Sequence, residues 1–138
     1  MKKKILVVFF ACVALFTVAA CSQNALGKLV ASEQTRVTAQ NNKGTSPYAS
    51  VKVTSEGTST IVYTYTFKLD VDKAAMASLY QMPAEKVSQQ TALDDTIFPE
   101  MLGKGIKNPK AKNVYLTKDG KTIVSLTFEP SKTVKAAT

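Results

Sequence analysis

The residue types that perform most enzymatic chemistry are scarce in this sequence. None of its 138 residues is a histidine, which excludes an imidazole base, a Ser/His or Cys/His dyad and histidine-ligated metal. The only close carboxylate pairs are Asp70 with Asp72 and Asp94 with Asp95, and paired carboxylates can act in acid–base catalysis. Neither pair has the spacing of a calcium loop, and helix capping accounts for the first pair. We therefore expect no catalytic residue, no cofactor and no metal site, with a carboxylate-based enzyme as an alternative.

The two cysteines suggest a different chemistry, the covalent attachment of lipid. An uncharged apolar run extends from Ile5 to Ala20, includes Cys12 and is followed directly by Cys21. The cationic segment from Met1 to Lys4 precedes this run, as in a secretory signal peptide. We interpret residues 1–20 as an export signal. Cys12 is then lost with the signal, and the mature protein has neither a free thiol nor a disulfide.

The residues at the end of the apolar run, Val18-Ala19-Ala20-Cys21, resemble the lipobox of bacterial lipoproteins. This resemblance implies cleavage between Ala20 and Cys21 and a diacylglyceryl group on the sulfur of Cys21. Two acyl chains are what stable anchoring requires, because each buried methylene contributes ~0.8 kcal/mol. The expected location is the extracytoplasmic face of the cell membrane, with the protein held there by its N-terminal lipid anchor.

The charge of the mature chain limits its partners. Removing residues 1–20 leaves 118 residues with 15 basic and 10 acidic side chains, a net charge of +5, and Arg36 is the only arginine. Nucleic-acid recognition favours arginine forks on clustered basic faces, so we expect no nucleic-acid partner. No sequence feature identifies a protein partner. The one basic cluster is expected on a solvated loop and strand edge, or else in contact with anionic lipid or a cell-wall polymer; it comprises Lys104, Lys107, Lys110 and Lys112.

Alternation of apolar and polar residues predicts two β-hairpins. The first pairs residues 48–55 with residues 60–68 around a turn at Gly57, and the second pairs residues 114–117 with residues 122–128 around Asp119-Gly120. Four tyrosines on these strands are expected in the core of the sheet, with a ligand-stacking surface as the alternative; they are Tyr48, Tyr63, Tyr65 and Tyr115.

Helical spacing predicts an amphipathic helix over residues 26–40 and a helical region over residues 70–102. Pro83 is expected to stop or kink this region, and it could serve as the first residue of a second helix; Pro99 is expected to break the region again. The predicted fold class is α+β, a four-stranded antiparallel sheet of two hairpins packed on one face by helices, in the order α-β-β-α-β-β. The predicted organisation is a tether with a possible N-terminal helix (21–47), an α+β domain (48–130) and a flexible tail (131–138).

Several segments together resemble small lipoproteins of Gram-positive bacteria whose domain has no assigned function. The similarity covers residues 51–128 and rests on Ile61-Val62-Tyr63-Thr64-Tyr65, Asp70-Val71-Asp72, Gly105–Lys110, Val114-Tyr115-Leu116 and Asp119-Gly120. The resemblance implies a lipid-anchored α+β domain on the cell surface and carries no activity with it.

The function that these features favour is a non-catalytic binding or accessory module at the cell surface. A second hypothesis treats the chain as the precursor of a short apolar signalling peptide, released from residues 13–20 of the signal sequence. The missing histidine makes binding the better expectation than catalysis.

Overall fold

The computed structural model describes residues 20–138, with side chains from residue 25 onward. The predicted signal peptide up to residue 19, with Cys12 and most of the proposed signalling peptide, lies outside the described residues, as do the side chains of Ala20 and Cys21. The described chain is a mixed α+β unit in which helices cover one face of a four-stranded sheet.

The sheet is formed by strands β1 (Tyr48–Glu56), β2 (Thr60–Phe67), β3 (Lys110–Leu116) and β4 (Thr122–Phe128), in that spatial order. The pairs β1–β2 and β3–β4 are antiparallel, as predicted, but the inner pair β2–β3 is parallel. The α+β class and the four strands are thus confirmed, and the expectation of an antiparallel sheet throughout is wrong. The helical connection between β2 and β3 allows this arrangement, because it supplies the crossover that parallel neighbours require.

Three helices form this crossover: α2 (Lys73–Gln81), α3 (Pro83–Asp95) and α4 (Ile97–Gly103). The carboxylate of Asp72 caps α2 by accepting a hydrogen bond from the backbone N–H of Ala75 at 2.9 Å. Pro83 begins α3, as predicted. Pro99 does not break the helical region; the break lies at Thr96, and Pro99 occupies the first turn of α4, where a missing N–H breaks no helical bond.

The N-terminal helix, which we call α1 (Ala20–Asn41), is longer than predicted and packs on the sheet. Its buried side chains follow one another at helical spacing, at positions 26, 29, 33 and 37. The side-chain amide of Gln34 pairs with the exposed edge of β1, donating to the carbonyl of Val51 at 2.9 Å and accepting from the N–H of Val53 at 2.7 Å. Helix α1 therefore belongs to the domain and also protects an edge strand.

Helix α1 runs antiparallel to β1, because Gln34 bonds to the middle of β1 while Asn41 donates to the carbonyl of Tyr48 at its start. The two ends of the sheet can thus be distinguished. At the "lysine end", α1, β2 and β3 begin, and β1 and β4 end. At the "tyrosine end", α1, β2 and β3 end, and β1 and β4 begin.

The lysine cluster lies at the lysine end, but half of it is within the sheet. Strand β3 begins at Lys110, four residues before the predicted start, and it is an inner strand, so the expected strand edge is wrong. Lys110 and Lys112 form 3.2 Å ion pairs with Glu129 and Glu56. The other two cluster members, Lys104 and Lys107, are exposed between α4 and β3.

The last residues of the chain, expected to form a flexible tail, contact the helices. The carboxylate of Asp94 on α3 accepts a hydrogen bond from the N–H of Ser131 at 3.1 Å. The N–H of Ala137 donates to the carbonyl of Pro99 at 2.9 Å, and Val134 packs against the hydrophobic core. The C-terminal segment thus holds α3 and α4 together.

Candidate binding site

The covered face of the sheet carries a cluster of tyrosines at the tyrosine end. The strand register places Val51 beside Tyr65, and Tyr65 beside Tyr115. The rings of Tyr65 and Tyr115 therefore lie next to each other and stack with centroids 4.9 Å apart. Tyr80, from α2, stacks on the other side of Tyr115 at 3.8 Å, and Tyr48 packs at an angle against Tyr65 at 4.9 Å. Period-two alternation places Tyr63 and Tyr65 on this face, and the register irregularity between Tyr48 and Ser50 brings Tyr48 to the same face.

The hydroxyl groups of three of these tyrosines are hydrogen-bonded, to another tyrosine or, for Tyr115, to Gln89. Those of Tyr48 and Tyr80 lie 2.7 Å apart, which joins the start of β1 to α2. Burial raises the pKa of Tyr65 to about 12 and raises the pKa of Tyr48, Tyr80 and Tyr115 above the ordinary tyrosine value. The tyrosines are therefore neutral hydrogen-bonding groups at physiological pH.

An ion pair between buried Glu33 and exposed Arg36 borders the cluster. Glu33 lies on the buried face of α1, and its carboxylate accepts two hydrogen bonds from Arg36 at 2.7 Å and one from the hydroxyl of Tyr63 at 2.8 Å. Burial by itself raises the pKa of Glu33, but the hydrogen bonds from Arg36 and Tyr63 together hold that pKa below its usual value. Glu33 is therefore ionised in the folded protein at neutral pH, and it neutralises Arg36.

Between α1, α3 and the sheet the tyrosines border a cavity of about 380 Å³. This volume lies at the small end of the range for ligand-binding pockets, roughly 300–1,000 Å³. The described lining is mostly polar at its tips and includes aromatic rings, side-chain amides and a single charged side chain. It comprises Arg36, Val37, Gln40, Asn41, Ser46, Tyr48, Val51, Tyr63, Tyr65, Gln89, Ala92, Leu93, Thr96, Asn113 and Tyr115.

The best-defined polar group of the cavity is the side chain of Asn113, which is 5% exposed. Its Nδ2 donates to Oε1 of Gln89 at 2.8 Å, and the hydroxyl of Tyr115 donates to the same oxygen at 3.2 Å. Gln89 in turn donates to Glu85 at 3.3 Å, which fixes the orientation of both amides. Within the described part of the chain, Oδ1 of Asn113 is buried without a hydrogen-bond partner.

A buried acceptor without a partner is uncommon, because the missing hydrogen bond leaves a desolvation penalty of ~1–3 kcal/mol. Asn113 lines the cavity and its amide is held by Gln89, so Oδ1 is a polar group at the cavity that has no donor among the described residues. The arrangement can provide stacking and directed hydrogen bonds.

The structure brings some of the candidate residues predicted from the sequence together at the cavity and places the others elsewhere. All four tyrosines proposed as a stacking surface line the cavity together. The carboxylate pairs lie elsewhere: Asp72 caps α2, and Asp94 bonds to the C-terminal segment. Across residues 20–138, no group of three or more metal-ligating side chains is present, and no helix is both long and apolar enough to span a membrane.

Four functional side chains were missed from the sequence. Gln89 and Asn113 carry no local signal, because their meeting depends on the crossover that brings α3 over β3. A signal did exist for Glu33 and Arg36, since Glu33 falls on the apolar face of α1 and its partner follows three residues later.

Comparisons with known proteins add no relative to these observations. Searches of protein-family models, of curated proteins and of solved structures find no match to the chain.

Proposed function

We propose that this protein is a lipid-anchored, extracytoplasmic binding module that holds a small molecule in the tyrosine cavity and performs no catalysis. The observation that carries this proposal is the buried, unpartnered Oδ1 of Asn113 in a cavity lined by four tyrosines. A binding site requires positioned polar groups on an apolar wall, and the cavity has both.

The anchor is supported by the lipobox-like sequence that ends at Cys21 and by the resemblance to small Gram-positive lipoproteins. Leu26, which is 1% exposed, lies only five residues after Cys21. At ~1.5 Å per helical residue, this separation is about 8 Å. An anchor at Cys21 would therefore hold the lysine end close to the lipid headgroups and leave the tyrosine end facing away from the membrane.

Charge supports the same orientation. Lys28, Lys104 and Lys107 are exposed on the segments that meet at the lysine end, and none of them forms an ion pair with another described residue. A lysine near an anionic membrane surface contributes ~1 kcal/mol of attraction. We propose that these lysines contact anionic lipid headgroups. This attraction favours an orientation in which the side of the domain nearest to Cys21 faces the membrane.

The anchor is tested by metabolic labelling with fatty acid. The intact protein should take up label and remain with the membrane. The variant Cys21→Ala should take up none and should accumulate as an unprocessed or released form. Labelling of the variant would contradict the anchor.

The lipid contact is tested with the whole mature chain carrying Cys21→Ser, so that no acyl chain contributes, on vesicles with and without phosphatidylglycerol. Replacing Lys104 and Lys107 by glutamine should weaken binding to the anionic vesicles ~30-fold, at ~1 kcal/mol per lysine. The matched control replaces Lys118 and Lys121, which carry the same charge at the tyrosine end. Equal loss in both variants, or binding to a polyphosphate polymer instead of the vesicles, would overturn the contact.

Small-molecule binding is tested by ligand-observed NMR with a mixed library of sugars, amino acids, carboxylates and aromatic compounds. Compounds that bind the wild-type protein should bind the variant Asn113→Leu at least tenfold more weakly, which corresponds to about one hydrogen bond. If no compound binds, or if binding does not depend on Asn113, the cavity is not a binding site.

A further inference from the structure

We propose that the ligand of the tyrosine cavity is a neutral saccharide, of the size of one or two sugar rings. This inference rests on the proposed function and adds the class of ligand. It follows from three properties of the described cavity: its charge, its unpaired hydrogen-bonding groups and its aromatic surface.

The charge of the lining disfavours an ionic ligand. Arg36 is the one charged side chain among the described lining residues, and it is already neutralised by Glu33 at 2.7 Å. A carboxylate or phosphate ligand would have to compete with Glu33, and an ammonium ligand would meet no carboxylate in the lining. The lining therefore fits a molecule without net charge.

The free hydrogen-bonding groups require a ligand that both donates and accepts. Oδ1 of Asn113 needs a donor, and the amides that hold it leave it no other orientation. Arg36 uses three of its five N–H groups, on Glu33 and Gln40, so two remain free on a side chain that is 45% exposed, and an acceptor on a ligand can bond to them. A sugar hydroxyl is both donor and acceptor, and one ring carries several of them in fixed directions.

The aromatic rings of the lining fit the apolar C–H face of a sugar, as the polar groups fit its hydroxyls. The C–H groups on one side of a pyranose ring form an apolar face, which packs against the face of an aromatic ring. Tyr48 and Tyr65 contribute such rings to the lining, and their neighbours Tyr80 and Tyr115 hold them in place through ring contacts. The lining thus combines aromatic rings with hydroxyl and amide groups.

An acyl chain fits the same cavity less well. Such a ligand would leave Oδ1 of Asn113 without a donor and would offer no acceptor to the free N–H groups of Arg36. Most of the described lining residues carry a side-chain polar atom, and the four that do not are Val37, Val51, Ala92 and Leu93.

The chain carries its own probe for this ligand. It has no tryptophan and five tyrosines, of which four line the cavity and the fifth, Tyr80, stacks on Tyr115. Tyrosine fluorescence of the intact lipidated protein, kept in a detergent without aromatic groups, therefore reports on this region. We would titrate it with glucose, N-acetylglucosamine and cellobiose, and in parallel with phenylalanine and decanoate.

At least one of the three sugars should change the fluorescence in a saturable way. Asn113→Leu should weaken that binding at least tenfold, Tyr65→Leu should weaken it by removing a stacking ring, and Thr127→Val, on the uncovered face of the sheet, should leave it unchanged. Circular dichroism checks that each variant is folded, and Tyr65→Leu tests the site independently if Asn113→Leu does not fold.

The results separate this inference from the proposed function. If only phenylalanine or decanoate saturates, and Asn113→Leu abolishes the effect, the cavity binds a small molecule and the saccharide class is wrong. If neither a sugar nor another compound saturates, both proposals are wrong.

Discussion

The two ends of the sheet bury different kinds of side chain. At the lysine end the buried groups are aliphatic or phenyl, including Leu26, Leu29, Ile61 and Phe128. At the tyrosine end, tyrosine rings with polar tips such as Tyr115 are buried beside Phe67 and Ile123, and the amide of Asn113 lies level with Tyr63 at the border between the two ends. Hydrocarbon groups fill space without directional requirements, whereas each buried polar tip needs a partner in a fixed direction. The cavity described above borders the part of the sheet where these polar tips lie.

This contrast separates two roles within one small domain. The lysine end, next to the proposed anchor, gains its stability from burial of apolar surface, which depends little on pH. The tyrosine end is held by hydrogen bonds between ionisable groups, so its stability varies with pH. Changes that act on one end alone should reveal the difference.

The largest effect should come from high pH, which acts on the tyrosine end. In the unfolded chain tyrosines ionise near pH 10, whereas burial holds the pKa of Tyr65 in the folded protein at about 12 and raises that of Tyr48, Tyr63 and Tyr115 as well. The stability that depends on these neutral tyrosines is complete below about pH 10 and is lost as the pH rises toward the folded-state values. Tyrosinate absorbance and far-ultraviolet circular dichroism should therefore change together in one cooperative step. Ionisation of all tyrosines with the circular dichroism unchanged would show that the cluster is open to water.

Truncation at the lysine end should have the next largest effect. Leu26→Ala removes a side chain that is 1% exposed and should lower the free energy of unfolding by ~2–5 kcal/mol. The measurement is urea denaturation, and the matched control is Leu79→Ala, whose side chain is 45% exposed and should cost far less. Equal small losses in the two variants would mean that α1 is a tether and not part of the core.

The sequence predicted elements better than it predicted their arrangement. Strands β2 and β4 and the start of α3 follow from alternation and from Pro83, because these signals are local. The parallel inner pair was missed, because a strand's apolar pattern does not state the direction of its neighbour. The start of β3 was missed because the inward positions there are Ala111 and Asn113, which give little hydrophobic signal.

The same distinction between local and long-range signals explains which residues of the candidate site could be predicted from the sequence. The common face of Tyr63 and Tyr65 follows from period-two alternation and was predictable, whereas Tyr48 reaches that face through a register irregularity that alternation does not indicate. The group that makes the cluster a candidate binding site, Asn113, reads as an ordinary polar residue in the sequence. The structure is needed to identify it, because only there is Nδ2 of Asn113 bonded to Gln89 while Oδ1 has no partner among the described residues.

A smaller effect should follow from removing one hydrogen bond at the border between the two ends. Tyr63→Phe deletes the hydroxyl that donates to Glu33 at 2.8 Å and keeps the ring in the core. The loss should be ~1–3 kcal/mol, because a buried carboxylate then lacks one of its donors. Urea denaturation near neutral pH measures it, with Tyr80→Phe as the control that removes a hydroxyl bonded to another tyrosine instead of to a charge. A loss no larger than that of the control would mean that Glu33 does not depend on Tyr63.

The smallest expected effect is the pH dependence of the stability that Tyr63→Phe loses, and it gives the most specific test of the comparison. The folded-state pKa of Glu33 lies below its ordinary value of 4.5, because the hydrogen bonds from Arg36 and Tyr63 outweigh the burial that raises it. The stability contributed by ionised Glu33 is therefore present above the unfolded-state pKa and is lost as the pH falls through the folded-state value. The difference in unfolding free energy between wild type and Tyr63→Phe should thus be largest at neutral pH and should narrow on acidification below about pH 4. Leu26→Ala should show no such narrowing, since its loss involves no proton, and a parallel decline in both variants would contradict the division of the sheet into an apolar end and a hydrogen-bonded end.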